Sequence, residues 1–336
     1  RIVKDSAFWY QKIIETNGRM LTMNQTTKEI LFLDPVCTHN IWGGTRLNRE
    51  FGYPIEGDDI GECWGISAHP NGDGTVASGA YKGMKLSELW EKHPELFGDT
   101  GMDRFPLLIK IIDAKDDLSI QVHPDDAYAK VHENGSLGKT ECWFILDCKE
   151  NATLVVGHNA KSREELEQMI QEGKWKEFIR EIPIKPGDFI QIDPGTVHAI
   201  KGGTLLLETQ QSSDITYRVY DYDRLSNGKP RQLHITQSID VITVPAKSAE
   251  NSVVHTEKKD DAIQQLICCP YYTVYRIDVE HRVETWQDKP FVLMSVVEGE
   301  GTLNGTPLKK GDHLILPDGY GKVELQGRMQ IIASTI

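Results

Sequence analysis

Residues 118–124, LSIQVHP, alternate polar and apolar side chains with the two-residue period of a strand. Ser119, Gln121 and His123 therefore share one face, with Ile120 and Val122 on the other. A face buried only for packing would carry apolar groups there. In 138–146, GKTECWFIL, Lys139 and Glu141 likewise share a face as the chain enters an apolar run. In 187–203, GDFIQIDPGTVHAIKGG, a turn of proline and glycine delivers His198 to the start of another strand. Two imidazoles, a carboxylate and an amide carbonyl suit a borderline divalent ion. Zinc is favoured, manganese, iron and cobalt are alternatives, and one position stays free for water or substrate. Each histidine alone also has a structural reading, His123 as a cap for the helix after Pro124 and His198 as a turn residue. The combination favours the metal.

Strands must hold these groups, and short apolar runs between turn signals recur around them. They cover 107–112, 118–123, 141–146, 153–156, 189–192, 204–209 and 217–222. A second set covers 272–279, 291–297, 301–303, 313–316, 322–325 and 329–333. Helices are fewer. Ser162 with Glu165 forms a capping box opening Arg163–Gln171, and three more are expected after Pro124, at Leu86–Lys92 and over 234–242. Residues 245–261 are polar and aperiodic and read as a linker. The pattern predicts a mainly β chain of two sandwich or jelly-roll units with a few inserted helices. On this reading residues 29–244 form the unit that carries the candidate metal ligands, 262–336 a second unit, and 1–28 a leader or extension outside the core.

Composition narrows the function. The 336 residues are 39% apolar, with 29 glycines besides, enough for a core in about two domains. Thirty-seven basic residues against 50 acidic leave a net charge of −13, which argues against nucleic-acid backbones and anionic membranes as partners. The best apolar run, 291–297, is the length of a strand and not of a membrane span. Six cysteines without a CxxC pair, and no apolar signal stretch in 1–23, point to a reduced, cytoplasmic setting.

Gly187, Pro194, Gly195 and His198 resemble the second cupin motif. The same template fits Gly311, Pro317 and Gly319, with Lys322 at the histidine position. The resemblance implies a double cupin with metal ligands in the first unit only. From about residue 31 to 245 the chain also resembles the type I phosphomannose isomerases in their shorter bacterial form. The segments that carry this are HNIWGG (39–44), GECWGIS (61–67), FPLLIKIIDA (105–114), LSIQVHPDD (118–126), GKTECWFIL (138–146), PGTVHAI (194–200) and SSDITYRVYDYDR (212–224).

That resemblance implies a metal-dependent aldose–ketose isomerase interconverting mannose 6-phosphate and fructose 6-phosphate through an enediol(ate). It assigns Gln121, His123, Glu141 and His198 to a single metal and Arg218 to the reacting substrate. Ser119, Lys110 and Lys139 then surround the sugar phosphate, with Glu208 and Asp214 in the pocket. The general base stays open among Glu208, Asp214, Lys139 and a metal-bound water. Read as residues alone, Lys110 could reach past a sheet edge to water, Glu208 could be a paired structural carboxylate, and Arg218 could pair with Asp221 or Asp223. Alternation from 217 puts Arg218, Tyr220 and Tyr222 on one face. Two other functions compete on the same ligands, an Fe(II) cupin oxygenase and a sugar-binding cupin without catalysis.

Overall fold

The computed structural model describes residues 28–249 and 252–336. Most of the expected N-terminal extension, 1–27, lies outside the described residues. The described residues open with β1 (Leu31–Asp34), β2 (Val36–Gly44), β3 (Ile60–Ile66), β4 (Thr75–Val76), β5 (Leu107–Ala114), β6 (Ile120–Val122), β7 (Glu141–Cys148) and β8 (Thr153–His158). It continues with β9 (Ile179–Pro183), β10 (Asp188–Ile192), β11 (His198–Ala199), β12 (Thr204–Gln211) and β13 (Tyr217–Tyr220). A small hairpin, β14 (Leu225–Ser226) and β15 (Lys229–Pro230), precedes β16 (Val253–His255) and β17 (Ala262–Cys268). The remaining strands are β18 (Thr273–Val279), β19 (Arg282–Gln287), β20 (Val292–Leu303), β21 (Thr306–Lys309), β22 (His313–Leu316) and β23 (Gly321–Thr335).

Three sheets stack in sequence. The middle one has seven strands in the order β16-β10-β7-β12-β5-β2-β3. Every residue of β5 and β12 is buried, as near-continuous apolar runs require when a strand is covered on both faces. One face packs on the five-stranded sheet β13-β6-β11-β8-β9: Trp143, Ile145, Ile190 and Leu206 meet Leu154, Val156 and Ile182. The other face packs on the C-terminal sheet, where Ile109, Ile111, Phe144 and Leu207 share a core with Val274, Phe291, Leu293 and Ile315. Helices cover the outer side of the five-stranded sheet. Ser162 Oγ accepts the Glu165 N–H at 3.2 Å, capping Arg163–Gln171, and Leu166 and Ile170 turn inward. No helix among the described residues is long and apolar enough to cross a membrane.

Two connections depart from a simple division by sequence. β1 pairs antiparallel with β22, Leu31 opposite Ile315, so the first described strand lies in the sheet of the last 75 or so residues. The aperiodic stretch 245–261 contains β16, which pairs with β10, His255 opposite Asp188. The glycines that look like turn signals near 299 and 327 lie inside the long strands β20 and β23, which pair through them with a register shift between Val296 and Glu298. Lys322, at the second unit's histidine position, is exposed and sits 2.9 Å from Glu284 and 3.6 Å from Glu324.

His313 is the buried imidazole of that second unit. Its Nε2 is 2.8 Å from Tyr53 Oη and its Nδ1 is 2.8 Å from Ser295 Oγ. Burial lowers its pKa to about 3. The unfolded chain binds a proton there below pH 6.5 while the folded chain does not, so this contribution is complete above pH 6.5 and drains as pH falls toward 3. One such imidazole costs about 2 kcal/mol by pH 5. Thermal unfolding at pH 7 and pH 5 should show a larger drop in Tm for the wild type than for His313→Gln.

Candidate active site

Donor groups come from both sheets of the first unit. β6 carries Gln121, with His123 just past its end, and β11 sets His198 directly opposite Gln121. On the other side of β6, β13 sets Arg218 opposite the same Gln121. The facing sheet contributes Glu141 at the start of β7. It also contributes a row, Trp143, Glu208, Lys110 and Trp64, that runs across β7, β12, β5 and β3. Two turns hold the strand ends together. A Cβ on Gly195, at φ +79°, would lie 2.8 Å from the Val241 carbonyl oxygen, and one on Gly138 would lie 2.4 Å from the Asp125 carbonyl carbon. Lys139 N–H donates to Pro124 O at 3.0 Å, tying the end of the His123 segment to the entrance of β7.

The four expected ligands converge. His123 Nε2 is 3.2 Å from His198 Nε2 and 3.4 Å from Glu141 Oε2. His198 Nε2 is 3.3 Å from Glu141 Oε1 and 3.3 Å from the Gln121 amide nitrogen. A half-turn of that amide exchanges nitrogen for carbonyl oxygen. Atoms bound about 2.0–2.1 Å from one ion in a tetrahedron stand about 3.3–3.4 Å apart, so this spacing fits a divalent metal. Among the described residues, His123, Glu141 and His198 are the one group of this kind.

The chemistry of the donors fits as well. His198 Nδ1 lies 2.8 Å from Thr196 O, which anchors the Nδ1–H tautomer and leaves the Nε2 lone pair facing inward. Burial, then the charge of Lys139, lowers the pKa of His123 to about 3, and burial likewise lowers His198. Both stay neutral, the form that ligates. Burial works against an ionised Glu141, but Lys139 and the two imidazoles hold it well below the usual carboxylate range. Both Glu141 oxygens are buried, Oε2 against the Lys139 ammonium and His123 and Oε1 against His198.

Lys139 and Lys110 lie beside this group. Lys139 Nζ is 3.0 Å from Glu141 Oε2 and 3.7 Å from Glu208 Oε1. Lys110 Nζ is 3.9 Å from Glu208 and 3.7 Å from Glu62, and it stands 4.7 Å above the Trp64 ring. Burial opposes the charge on Lys139, but Glu141 and Glu208 outweigh it and raise its pKa. Burial, with the nearby Glu141, lifts Glu208 to about 7. Its Oε2 accepts Trp143 Nε1–H at 3.1 Å, while its buried Oε1 has no hydrogen bond.

Ser119 is buried immediately before β6. Asp214 is at the rim, held by Asn71 Nδ2 and 3.5 Å from His69 Nε2, and does not belong to the His–Glu–His group. Arg218 donates from Nη1 to Gln232 O at 2.9 Å, and its buried Nε has no partner. The alternative pairing with Asp221 is not realised, because Arg224 and Arg231 occupy that carboxylate at 2.6 and 2.5 Å. Nor do Arg218, Tyr220 and Tyr222 continue one alternating face. A register shift follows Arg218, β13 ends at Tyr220, and Tyr220 stacks on Trp175 at 4.5 Å. The expectation missed Glu62, Trp64, Trp143 and His69 as neighbours of the site. Period two could have found three of them, since Glu62 and Trp64 share a face and Trp143 follows Glu141 by two.

Two cupin-type β units, the first enclosing a buried His–Glu–His centre, define a double cupin of the metal-binding class. Residues 30–144 match the catalytic domain of type I phosphomannose isomerase, and 262–336 match the cupin domain of mannose-6-phosphate isomerase. The chain is 51% identical over 313 residues to the mannose-6-phosphate isomerase ManA of Bacillus subtilis, covering 92% of this chain and 99% of that protein. It is 49% identical over 311 residues to the mannose-6-phosphate isomerase of Streptococcus mutans, covering 91% and 98%. The crystal structure of the mannose 6-phosphate isomerase from Bacillus subtilis superposes with a TM-score of 0.86 at 48% identity, covering 92% of this chain and 100% of that one. The chain belongs to the type I phosphomannose isomerase family.

An ion that binds only the folded chain stabilises it by mass action. Adding a divalent cation to chelator-stripped protein should raise Tm for the wild type. The double variant His198→Ala/Glu141→Ala should show no rise.

Proposed function

We propose that the space between the two sheets of the first unit is where this metal-dependent aldose–ketose isomerase interconverts mannose 6-phosphate and fructose 6-phosphate. The observation that carries this reading is the convergence of the His–Glu–His donors with Lys139, Lys110 and Glu208 in one closed space. Gln121, His123, Glu141 and His198 would hold one ion per chain, zinc by our reading, which when bound supplies a Lewis acid at the sugar oxygens. Ser119, Lys110 and Lys139 bind and orient the sugar phosphate. Six free cysteines fit a reducing, cytoplasmic setting.

The reaction opens the sugar ring and moves a proton between C1 and C2 through an enediol(ate). A base for that transfer works best with a pKa near the operating pH. Glu208, lifted to about 7 and with Oε1 unpartnered, meets this requirement. Lys139 does not, because its two carboxylate neighbours keep it protonated. It serves instead as a fixed positive charge. Asp214 enters from the rim as a substrate contact.

Arg218 is assigned to the developing oxyanion. Its planar fork is always charged, and no carboxylate among the described residues forms an ion pair with it. Its unspent donors can therefore meet enediolate oxygens as charge accumulates. Loss of one such donor typically costs about 2.7–4 kcal/mol in the transition state.

A coupled assay of mannose 6-phosphate consumption, with and without chelator, tests the reaction; activity that persists in fully metal-stripped protein would contradict the metal requirement. Arg218→Ala should lower kcat by about 10²–10³ with a much smaller change in KM. Arg218→Lys should recover only part of the loss, since it keeps the charge and not the fork. Folded, metal-loaded Arg218→Ala with wild-type kcat would remove the residue from the reaction.

A further inference from the structure

On the reverse face of the seven-stranded sheet, β2 and β3 pair so that Cys37 stands directly opposite Cys63. Directly opposed residues on antiparallel strands have Cβ atoms about 4.5–5.5 Å apart, and a disulfide needs about 3.5–4.5 Å. A small closure of that rung is enough. Both residues are free thiols, close enough that each shifts the other's pKa. Cys63 is completely buried, whereas Cys37 is half-buried and reachable from solvent. The contact with Cys63 lowers the pKa of the Cys37 thiol, which favours its reactive thiolate. Behind Cys63 lies the Tyr53 hydroxyl, 2.8 Å from His313 Nε2, and His313 Nδ1 is 2.8 Å from Ser295 Oγ.

Cys63 also lies between the two β3 residues that hold Lys110 on the opposite face. Trp64 Nε1–H donates to Glu62 Oε2 at 2.7 Å, that carboxylate is 3.7 Å from Lys110 Nζ, and the ammonium rests over the Trp64 ring.

We propose that Cys37 and Cys63 are a redox modification site, which an oxidant of the peroxide class closes to a cross-strand disulfide behind the Lys110 support. The Cys37 thiolate attacks one peroxide oxygen, the O–O bond breaks, and a sulfenic acid and hydroxide form; the proton released when Cys37 ionised turns that hydroxide into the first water. The Cys63 sulfur then attacks the sulfenic sulfur and expels hydroxide. Its own proton goes to that departing hydroxide, which leaves as the second water. Two thiols are oxidised and one peroxide is reduced. Drawing β2 and β3 together shifts Glu62 and Trp64, and with them Lys110. That coupling rests on the proposed substrate role of Lys110; the bond itself does not.

The full chain is treated with limited hydrogen peroxide, its remaining thiols are alkylated, and non-reducing peptide mapping follows. The peptides carrying Cys37 and Cys63 should emerge joined and lighter by two hydrogens, and a dithiol should separate them. Cys37→Ser should yield no such pair. Recovery of Cys37 and Cys63 alkylated while the adjacent Cys268 and Cys269 are oxidised overturns the site. In the oxidised wild type, KM for mannose 6-phosphate should rise several-fold, while peroxide-treated Cys63→Ser keeps its own untreated value. A mapped disulfide with unchanged KM overturns the coupling. The peptide map reads out even if reduced protein proves inactive, so failure of the isomerase reading is told apart from failure of this one.

Discussion

The first unit is arranged around a carboxylate with no exposed surface. Glu141 sits 3.3–3.4 Å from two neutral imidazoles and 3.0 Å from the Lys139 ammonium, with water excluded by sheets on both sides. Burying such a charge costs several kcal/mol, and a single buried partner rarely returns a net gain. Its presence is therefore explained by chemistry and not by stability. Neighbouring groups carry the consequences. Lys139 is held protonated, and Glu208, the additional carboxylate near the same ammonium, takes a pKa near neutrality. One carboxylate is kept ionised and a second is left able to exchange its proton, a division set by environment alone.

The second unit contributes by covering. The face of the seven-stranded sheet turned away from the site is apolar along β5, β7 and β12, and the C-terminal sheet buries it. An aromatic cluster anchors the inserted helices to the same core: Trp90, Phe97 and Phe105 each meet Phe291 at 5.6–6.0 Å. The exchange of β1 into the C-terminal sheet and of β16 onto β10 links the two units through backbone ladders as well as side chains. Rigidity at the back of the sheet matters at the front, because alternate residues of one strand serve both faces. Cys63 and its neighbours Glu62 and Trp64 are the clearest case.

Much of this was legible in the sequence. Period-two alternation alone set Gln121 with His123 and Lys139 with Glu141, and the Ser162–Glu165 capping box marked its helix to the residue. These are local properties, carried by side-chain direction along one strand or by one turn of helix. The mainly β character and the motif resemblance pointed in the same direction. β1, whose partner β22 lies far along the chain, left no comparable signal in the strand pattern, and neither did β2 and β3.

Tertiary structure alone decided which strands became neighbours, and hence which local faces met. Glu208 stands beside Lys110 and Trp143 only through the β7-β12-β5 register, and Trp64 reaches Lys110 only because β3 joins that sheet. Asp221 had three nearby arginines to choose from; the fold gave it Arg224 and Arg231 and left Arg218 free of a carboxylate. The shift after Arg218 broke an alternation that the sequence continued. Sequence specifies residue type and local direction because both act over a few bonds. Which charges meet, and so which pKa values move, depends on distances across strands tens of residues apart, and those exist only once the sheets have closed.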